Sequence, residues 1–314
     1  MLRVRSPFAA LLVATLGGVV IAALASCVAP RAGRVDGFRS ERITVTTRGS
    51  GPDVVLIPGL ASSAADVWAG TVAAVPGYRY HLVQVHGFAG VPAGANGDGG
   101  PVVGPVADEV ARYIRETRGR AGSSSPPPAL IGHSMGGAVA LALVVRHPES
   151  VARLMVVDMI PWMGAFFGPP GSVTPERARS IAERMRAEWA APGDEAWRRR
   201  ITASVTSMIR TDSLHARAIA SGVASDRDVA ARVMRDMVLQ DLRADLARVT
   251  IPIRVLYVQG PHLPLDTTQV DAVFRAAYAA APQATLQRLP DAYHFVMLDQ
   301  PARFAAEVRA FLQQ

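Results

Sequence analysis

The stretch ALIGHSMGGAVALALVV, residues 129–145, decides the fold class. It starts as an apolar run, turns at GHSMG (132–136), and continues as a long apolar segment that Pro148 ends. The first run predicts a buried strand and the second predicts a helix. The pattern G-x-S-x-G between a strand and a helix is typical of a serine nucleophile, because so sharp a turn excludes bulk two residues either side of the serine. We therefore expect the Ser134 hydroxyl to project from the sheet, at the positive end of a helix.

The segments on both sides of this stretch alternate between strand and helix patterns. Residues 42–50 alternate polar with apolar side chains, whereas DVVLIPG (53–59), VARLMVVDM (151–159) and IPIRVLYVQG (251–260) contain continuous apolar runs. Continuous apolar strands are typical of a parallel sheet that is buried on both faces. The sequence therefore predicts an α/β fold, with a mostly parallel central sheet and helices on both faces.

Two intervals depart from this alternation. Residues 89–105 are rich in glycine and proline and predict a long loop, followed by a helix that starts at Pro105. Residues 162–249 form a helical block rich in Met and Arg, which predicts a cap inserted into a core of residues 42–161 and 250–314. The segment IPWMGAFFGPPG (160–171) opens this block and predicts an apolar pocket beside the site, unless its large side chains only seat the cap on the core.

The first residues have the layout of a secretory signal. Two arginines precede an uncharged apolar stretch that ends in small residues, so residues 1–26 are excluded from the fold. Leu24-Ala25-Ser26-Cys27 resembles the lipobox of bacterial lipoproteins, which implies an acylated Cys27, a tether over residues 27–41 and an exported protein anchored to a membrane. Cleavage after the small residues at 23–25, or retention as an uncleaved anchor, remains open.

Composition excludes some classes of protein. Half of the residues are hydrophobic and 19% are charged, an ordinary globular balance with enough apolar mass for a full core. The net charge of +7 does not predict nucleic-acid binding, because the arginines are scattered among acidic residues and WRRR (197–200) is the one run. Cys27 is the single cysteine, so the fold contains no internal disulfide.

Around the serine, the chain resembles the α/β-hydrolase family over roughly residues 42–314. The stretch LIPGLASSAADVW (56–68) resembles the family's oxyanion loop, with Pro58 where histidine is usual. By that resemblance, the backbone N–H groups of Leu60 and Met135 would stabilise an oxyanion.

The resemblance also implies a histidine on a loop after the last strand. The chain has seven histidines, and His294 in the segment TLQRLPDAYHFVMLDQP (285–301) occupies that place. A serine hydroxyl needs such a base to attack at neutral pH. We therefore expect His294 to take the proton of Ser134.

The acid that would orient His294 is left open between two aspartates. The family usually carries it just after the penultimate strand, where this chain has Leu263, and Asp266 follows three residues later. Asp158 ends the strand after the serine, where some branches, including the haloalkane dehalogenases, carry their acid. Position in the sequence favours neither Asp158 nor Asp266 decisively.

These observations predict a serine hydrolase that cleaves carboxylic esters with an apolar group through an acyl-enzyme. A lactonase, thioesterase or amidase would use the same residues, and a lipoprotein that binds apolar ligands on an inactive hydrolase scaffold is the alternative of another class. No metal or organic cofactor is predicted, since the sequence holds no clustered ligand set. The oligomeric state is left open.

Overall fold

The computed structural model describes residues 33–34, 37–121, 126–169 and 171–314, and the predicted signal and Cys27 lie outside these ranges. The strands are β1 (Gly33–Arg34), β2 (Ile43–Gly49), β3 (Asp53–Ile57), β4 (Arg79–Val85), β5 (Ala129–His133), β6 (Arg153–Val157), β7 (Ile253–Tyr257) and β8 (Ala284–Arg288). The helices are α1 (Ala64–Ala74), α2 (Val103–Ala121), α3 (Met135–Arg146), α4 (Pro175–Ala190), α5 (Asp194–Met208), α6 (His215–Val223), α7 (Arg227–Leu239), α8 (Thr267–Ala277), α9 (Val296–Asp299) and α10 (Pro301–Leu312).

Within the described ranges the strands form one sheet of eight, in the order β1-β2-β4-β3-β5-β6-β7-β8. Strand β2 is antiparallel to both β1 and β4, and all other neighbours are parallel. The predicted α/β fold with a mostly parallel sheet is therefore confirmed. Because the central strands are parallel, their carboxyl ends share one edge of the sheet, where side chains from different strands can meet.

The core lies on both faces of the sheet. Along β3, Val55 and Ile57 join a cluster with helices α2, α3 and α8, whereas Val54 and Leu56 join a cluster with α1, α9 and α10. Side chains alternate between the two faces of a strand, so a strand covered on both sides must be apolar at consecutive positions. This requirement explains why the run 53–57 carries no polar residue after Asp53.

Helix α2 begins two residues earlier than the sequence predicts. It starts at Val103, so Pro105 lies in its first turn, where a missing N–H removes no helical hydrogen bond. The Asp236 carboxylate accepts the N–H groups of Val102, at 2.6 Å, and Val103, at 3.1 Å. Sequence patterns near residue 103 could not reveal this start, because the capping carboxylate comes from α7. The predicted loop also contains a short 3-10 turn, Gly94–Gly97.

The chain between β6 and β7 contains helices α4 to α7 and, in the ranges described, no strand. Helix α7 is fixed to the core by Arg232, whose guanidinium donates to the carbonyls of Gly100, at 2.8 Å, and Asn96, at 2.5 Å. Helix α4 packs along α7, and α5 packs against α6. Among the described helices, none is long and apolar enough to cross a membrane.

Candidate active site

Ser134 lies in the tight turn between β5 and α3. Its backbone angles, φ 53° and ψ −119°, are a conformation that non-glycine residues rarely adopt. The flanking glycines explain the motif. A Cβ on Gly132 would lie 2.2 Å from the carbonyl oxygen of Gly136, and a Cβ on Gly136 would lie 2.3 Å from that of Ile57. Only glycine fits at either position. The Ser134 N–H donates to the Val157 carbonyl at 2.9 Å, which fixes the turn against the neighbouring strand.

Asp158 and His294 meet beside this turn. Asp158 directly follows β6, His294 lies on the loop after β8, and the His294 Nδ1–H donates to Asp158 Oδ2 at 2.6 Å. Both residues are buried, at 5% and 8% exposure. Because Nδ1 carries the proton in this hydrogen bond, Nε2 is the ring nitrogen left to accept one.

The environment of this pair sets its charge. Burial alone would raise the pKa of Asp158, but polar contacts from His262 and His294 outweigh burial and hold this pKa below its usual value. Burial lowers the pKa of His294, and the contact with Asp158 offsets only part of that effect. At neutral pH the site therefore contains a carboxylate and a neutral imidazole, the state required of a general base.

The other acid candidate, Asp266, is engaged elsewhere. It is the N-cap of α8, where its carboxylate accepts the Gln269 N–H at 2.9 Å and the Gln269 side chain accepts the Asp266 N–H at 2.8 Å. This reciprocal capping box explains the residue without any role in the site. Of the two carboxylates left open by the sequence, Asp158 is the one within hydrogen-bond distance of His294.

The two predicted oxyanion donors lie on elements that touch the serine turn. Met135 is the first residue of α3, so its N–H is one of the amides that a helix leaves unpaired. Leu60 follows Gly59, where an added Cβ would lie 3.3 Å from the Cβ of Ser134. Within the ranges that the structure describes, the Leu60 N–H donates no hydrogen bond. Both amides are thus available next to Ser134.

Two further histidines border the site, and the sequence analysis assigned neither to it. His133 is fully buried, its Nε2–H donates to the His294 carbonyl at 3.0 Å, and its ring lies 4.7 Å from the His294 ring. Burial and the neighbouring His294 hold the pKa of His133 well below its usual value. His262 lies on the turn after β7, with Nε2 3.5 Å from Asp158 Oδ2. One feature of the sequence could have indicated His262: it directly precedes Leu263, the position at which the family usually carries its acid.

The side chains of Asp158, His262 and His294 are of types that can bind a metal ion. In the part of the chain described, they are the one set of this kind, with candidate ligand atoms within 4.8 Å of one another. The 2.6 Å separation between Asp158 and His294 is a hydrogen-bond distance. Two ligand atoms in a tetrahedral zinc site would be about 3.3 Å apart, given zinc–nitrogen bonds near 2.0 Å. The pair is therefore arranged to share a proton.

A cavity of about 500 Å³ opens above these residues, and Ser134, Asp158, His262 and His294 all line it. Its remaining walls are mostly apolar and come from the core and from the segment between β6 and β7. The large apolar side chains of that segment in the cavity are Met159, Met163, Phe166, Phe167, Met185, Trp189, Ile201, Met208, Leu214, Met234 and Met237. Among the described residues that line the cavity, the Asp66 carboxylate of α1 and the Arg217 guanidinium of α6 form an ion pair with each other.

The fold and the family profile that matches the sequence agree on one family. The profile of the Alpha/beta hydrolase family matches residues 54–307, and the chain belongs to that family. It is 29% identical over 204 residues to the mouse (Mus musculus) sn-1-specific diacylglycerol lipase ABHD11, covering 59% of each chain. It is 25% identical over 265 residues to the pimeloyl-[acyl-carrier protein] methyl ester esterase of Serratia marcescens, covering 83% of this chain and 93% of that enzyme.

The chain thus spans 59% of the length of the mouse relative. Among solved structures, the esterase from Exiguobacterium antarcticum is similar, with a TM-score of 0.67, 18% identity, and coverage of 90% of this chain and 98% of that one. At this identity the likeness supports the fold.

Proposed function

We propose that the protein is a serine hydrolase that cleaves carboxylic esters through an acyl-enzyme, with Ser134 as nucleophile, His294 as base and Asp158 as the acid that orients the base. The observation that carries this proposal is the 2.6 Å contact between His294 and Asp158, in a cavity that Ser134 also lines. The esterase names of relatives on the same fold support the choice of an ester as substrate.

In the first half of the reaction, Ser134 Oγ attacks the acyl carbon while His294 Nε2 takes the hydroxyl proton. The carbonyl oxygen becomes an oxyanion, and the N–H groups of Leu60 and Met135 donate to it. Losing one such donor typically costs about 10²–10³ in turnover. The tetrahedral intermediate then collapses, and the leaving alcohol receives the proton from His294, which leaves an acyl-Ser134 ester.

In the second half, a water molecule attacks the acyl carbon and gives its proton to His294. The second intermediate releases the carboxylic acid, and the proton returns to Ser134. Asp158 stays ionised throughout. Its hydrogen bond to Nδ1 leaves Nε2 of His294 to exchange the proton with Ser134, and it would stabilise the imidazolium that forms twice per turnover.

The substrate is proposed to be an ester with an apolar acyl or alcohol group. The segment 162–249 would act as a cap that supplies most of the apolar wall, including Met163, Phe166 and Phe167. An apolar chain of an ester leaves water on entering such a cavity, at about 25 cal/mol per Å² of buried apolar surface. A charged substituent would lose its hydration with little compensation, since Asp66 and Arg217 already pair with each other.

Export remains part of the proposal on sequence grounds. Residues 1–26 would direct secretion, and acylated Cys27 would tether the enzyme to a membrane, facing the periplasm or the cell exterior. A lipid at this position would leave the hydrolase body in the aqueous phase.

The proposed function is tested with p-nitrophenyl esters of increasing acyl length. The wild-type protein should hydrolyse them and favour apolar acyl groups over acidic ones. Ser134→Ala removes the attacking oxygen, so kcat should fall by at least about 10³, to the level left by binding and the oxyanion donors. The matched control is Ser221→Ala, which removes another hydroxyl from the same cavity and should leave kcat within a few fold. Wild-type turnover in Ser134→Ala would remove the mechanism.

A further inference from the structure

The proposed mechanism leaves His262 without a role, although it is buried in the site. Its side chain is 7% exposed, and its Nε2 lies 3.5 Å from Asp158 Oδ2, the oxygen that also accepts from His294. The rings of His262 and His294 have centroids 5.0 Å apart. The turn after β7 thus brings a second imidazole to the carboxylate that orients the base.

Asp158 is a buried anion with few donors. Its Oδ1 accepts the Val258 N–H at 3.1 Å and its Oδ2 accepts from His294 at 2.6 Å. Within the ranges described, the side chains that contact its oxygens are those of His262 and His294, and no arginine forms an ion pair with it. A carboxylate withdrawn from water is unstable unless several donors surround it. The Nε2 of His262 is therefore the third stabilising contact, at a distance that is long for a hydrogen bond.

The surroundings of His262 determine which ring nitrogen carries its proton. Its Nδ1 is buried without a hydrogen-bond partner among the described residues, and a Cβ on Gly260 would lie 3.0 Å from it. A proton on Nδ1 would be a buried donor with no acceptor, and it would leave the Nε2 lone pair facing the Asp158 carboxylate. The neutral ring therefore carries its proton on Nε2, facing Asp158.

We propose that His262 is a positioning residue that acts through Asp158, lending an Nε2–H to the oxygen that orients His294 and so lowering the proton affinity of the His294 ring. This inference rests on the proposed function of that ring. An oxygen that accepts from two N–H donors forms a weaker hydrogen bond with each donor than it would form with one. Asp158 therefore stabilises the protonated His294 ring less than it would without His262. The base then stays unprotonated, and active, to a lower pH.

Several titratable groups near His262 could also affect the protonation of His294. The titratable groups around it are Asp158 after β6, His294 and Tyr293 on the loop after β8, and, behind His294, His133 at the end of β5. The charged side chains elsewhere on the cavity wall are Asp66 and Arg217, which pair with each other. Of these groups, only His262 shares the Asp158 oxygen with His294.

The test measures the pKa of His294 by NMR titration of its ring resonances in the full chain, with assignment from the spectrum of His294→Gln. His262→Leu removes the donor and should raise the pKa of His294 by about half to one unit, because the unshared Asp158 oxygen then favours the imidazolium more strongly. The acid limb of kcat/KM should move to higher pH by the same amount. His262→Gln restores an N–H donor and should return the limb towards the wild-type position.

A purely structural role would lower the fraction of folded protein without moving the limb. An unchanged His294 pKa in His262→Leu would overturn the proposal, as would equal shifts in His262→Leu and His262→Gln. If the leucine variant does not fold, His262→Phe keeps a planar ring without a donor and decides the same question. In an Asp158→Asn background, His262→Leu should have no further effect, and a persistent shift would exclude action through Asp158. The NMR measurement of the His294 pKa does not depend on turnover. It therefore tests the role of His262 even if the protein hydrolyses none of the esters.

Discussion

Backbone strain recurs among the residues that line the cavity, which include three of the five described non-glycine residues with positive φ. Ala61, Ser134 and Asp158 all have φ between 52° and 55°, and each follows the carboxyl end of a parallel strand. A non-glycine residue in such a conformation costs of order 1–3 kcal/mol unless its surroundings impose it. Here neighbouring strands impose it, because the Ser134 N–H is held by Val157 and the Asp158 N–H by Leu256, at 2.9 and 2.7 Å. The strained turns therefore hold the side chains of Ser134 and Asp158 in fixed directions.

The residue-scale prediction compares the two aspartates. Asp158→Asn should lower kcat by about 10³–10⁴, because the amide cannot hold His294 in the required tautomer or stabilise its imidazolium. Asp266→Asn should leave kcat near wild type and cost at most about 0.5 kcal/mol of unfolding free energy, since asparagine also caps helices well. Steady-state kinetics with one p-nitrophenyl ester, together with urea unfolding, checks both. Near-normal kcat in Asp158→Asn, or a large loss in Asp266→Asn, would contradict the assignment.

Sequence reasoning went furthest where the chemistry is local. The G-x-S-x-G turn is encoded within five residues, because the glycines at 132 and 136 are needed by contacts inside or next to the turn itself. The choice between Asp158 and Asp266 is not local. It depends on how the loops after β6 and β7 fold back towards His294, which follows Asp158 by 136 residues. The sequence did not predict a role for His262 because its contact with Asp158 also joins residues that are distant in the chain.

At the scale of elements, the link between α7 and α2 joins the segment between β6 and β7 to the core. Asp236, 8% exposed, accepts two amides at the start of α2, and Arg232, 3% exposed, donates to the preceding loop. Burial raises the pKa of Asp236, and the two amide hydrogen bonds counteract that effect. Helix α7 is thus held by buried polar contacts, which are expensive to break.

We expect Asp236→Ala to lower the free energy of unfolding by about 2 kcal/mol, because it leaves the amides of Val102 and Val103 without their acceptor. Asp212→Ala, at a 97% exposed side chain of the same segment, is the matched control and should change stability by less than about 0.5 kcal/mol. Urea denaturation followed by circular dichroism measures both. Equal effects of the two substitutions would mean that the hydrogen bonds from Val102 and Val103 to Asp236 do not contribute to the free energy of unfolding.

The elements themselves follow from simple patterns, whereas their ends do not. The apolar runs of the parallel strands and of α3 were predicted from the sequence, because an element that is buried on all sides must be apolar throughout. The start of α2 was displaced by a carboxylate 134 residues later in the chain. Long-range capping of this kind leaves no trace in the local sequence.

At the scale of the whole molecule, the sequence proposes a tethered enzyme. In membrane fractionation of a bacterial expression host, the wild type should sediment with membranes and Cys27→Ser should be released, because the proposed acylation uses the Cys27 thiol. Ser26→Ala keeps a small residue before the cysteine and should stay with the membranes. If Cys27→Ser also stays there, the apolar segment before it would be the anchor, and lipidation would be excluded as the cause.

Because Asp158, directly after β6, is the carboxylate beside His294, the turn after β7 does not have to supply one. That turn contains Pro261 and Pro264 and contributes Leu263 to the cavity wall. Apart from Val258 and His262, which contact Asp158, the turn can accept substitutions without displacing that carboxylate. Under the proposed function, Leu263 and the two prolines could therefore be replaced to fit new esters while Ser134, His294 and Asp158 stay in place.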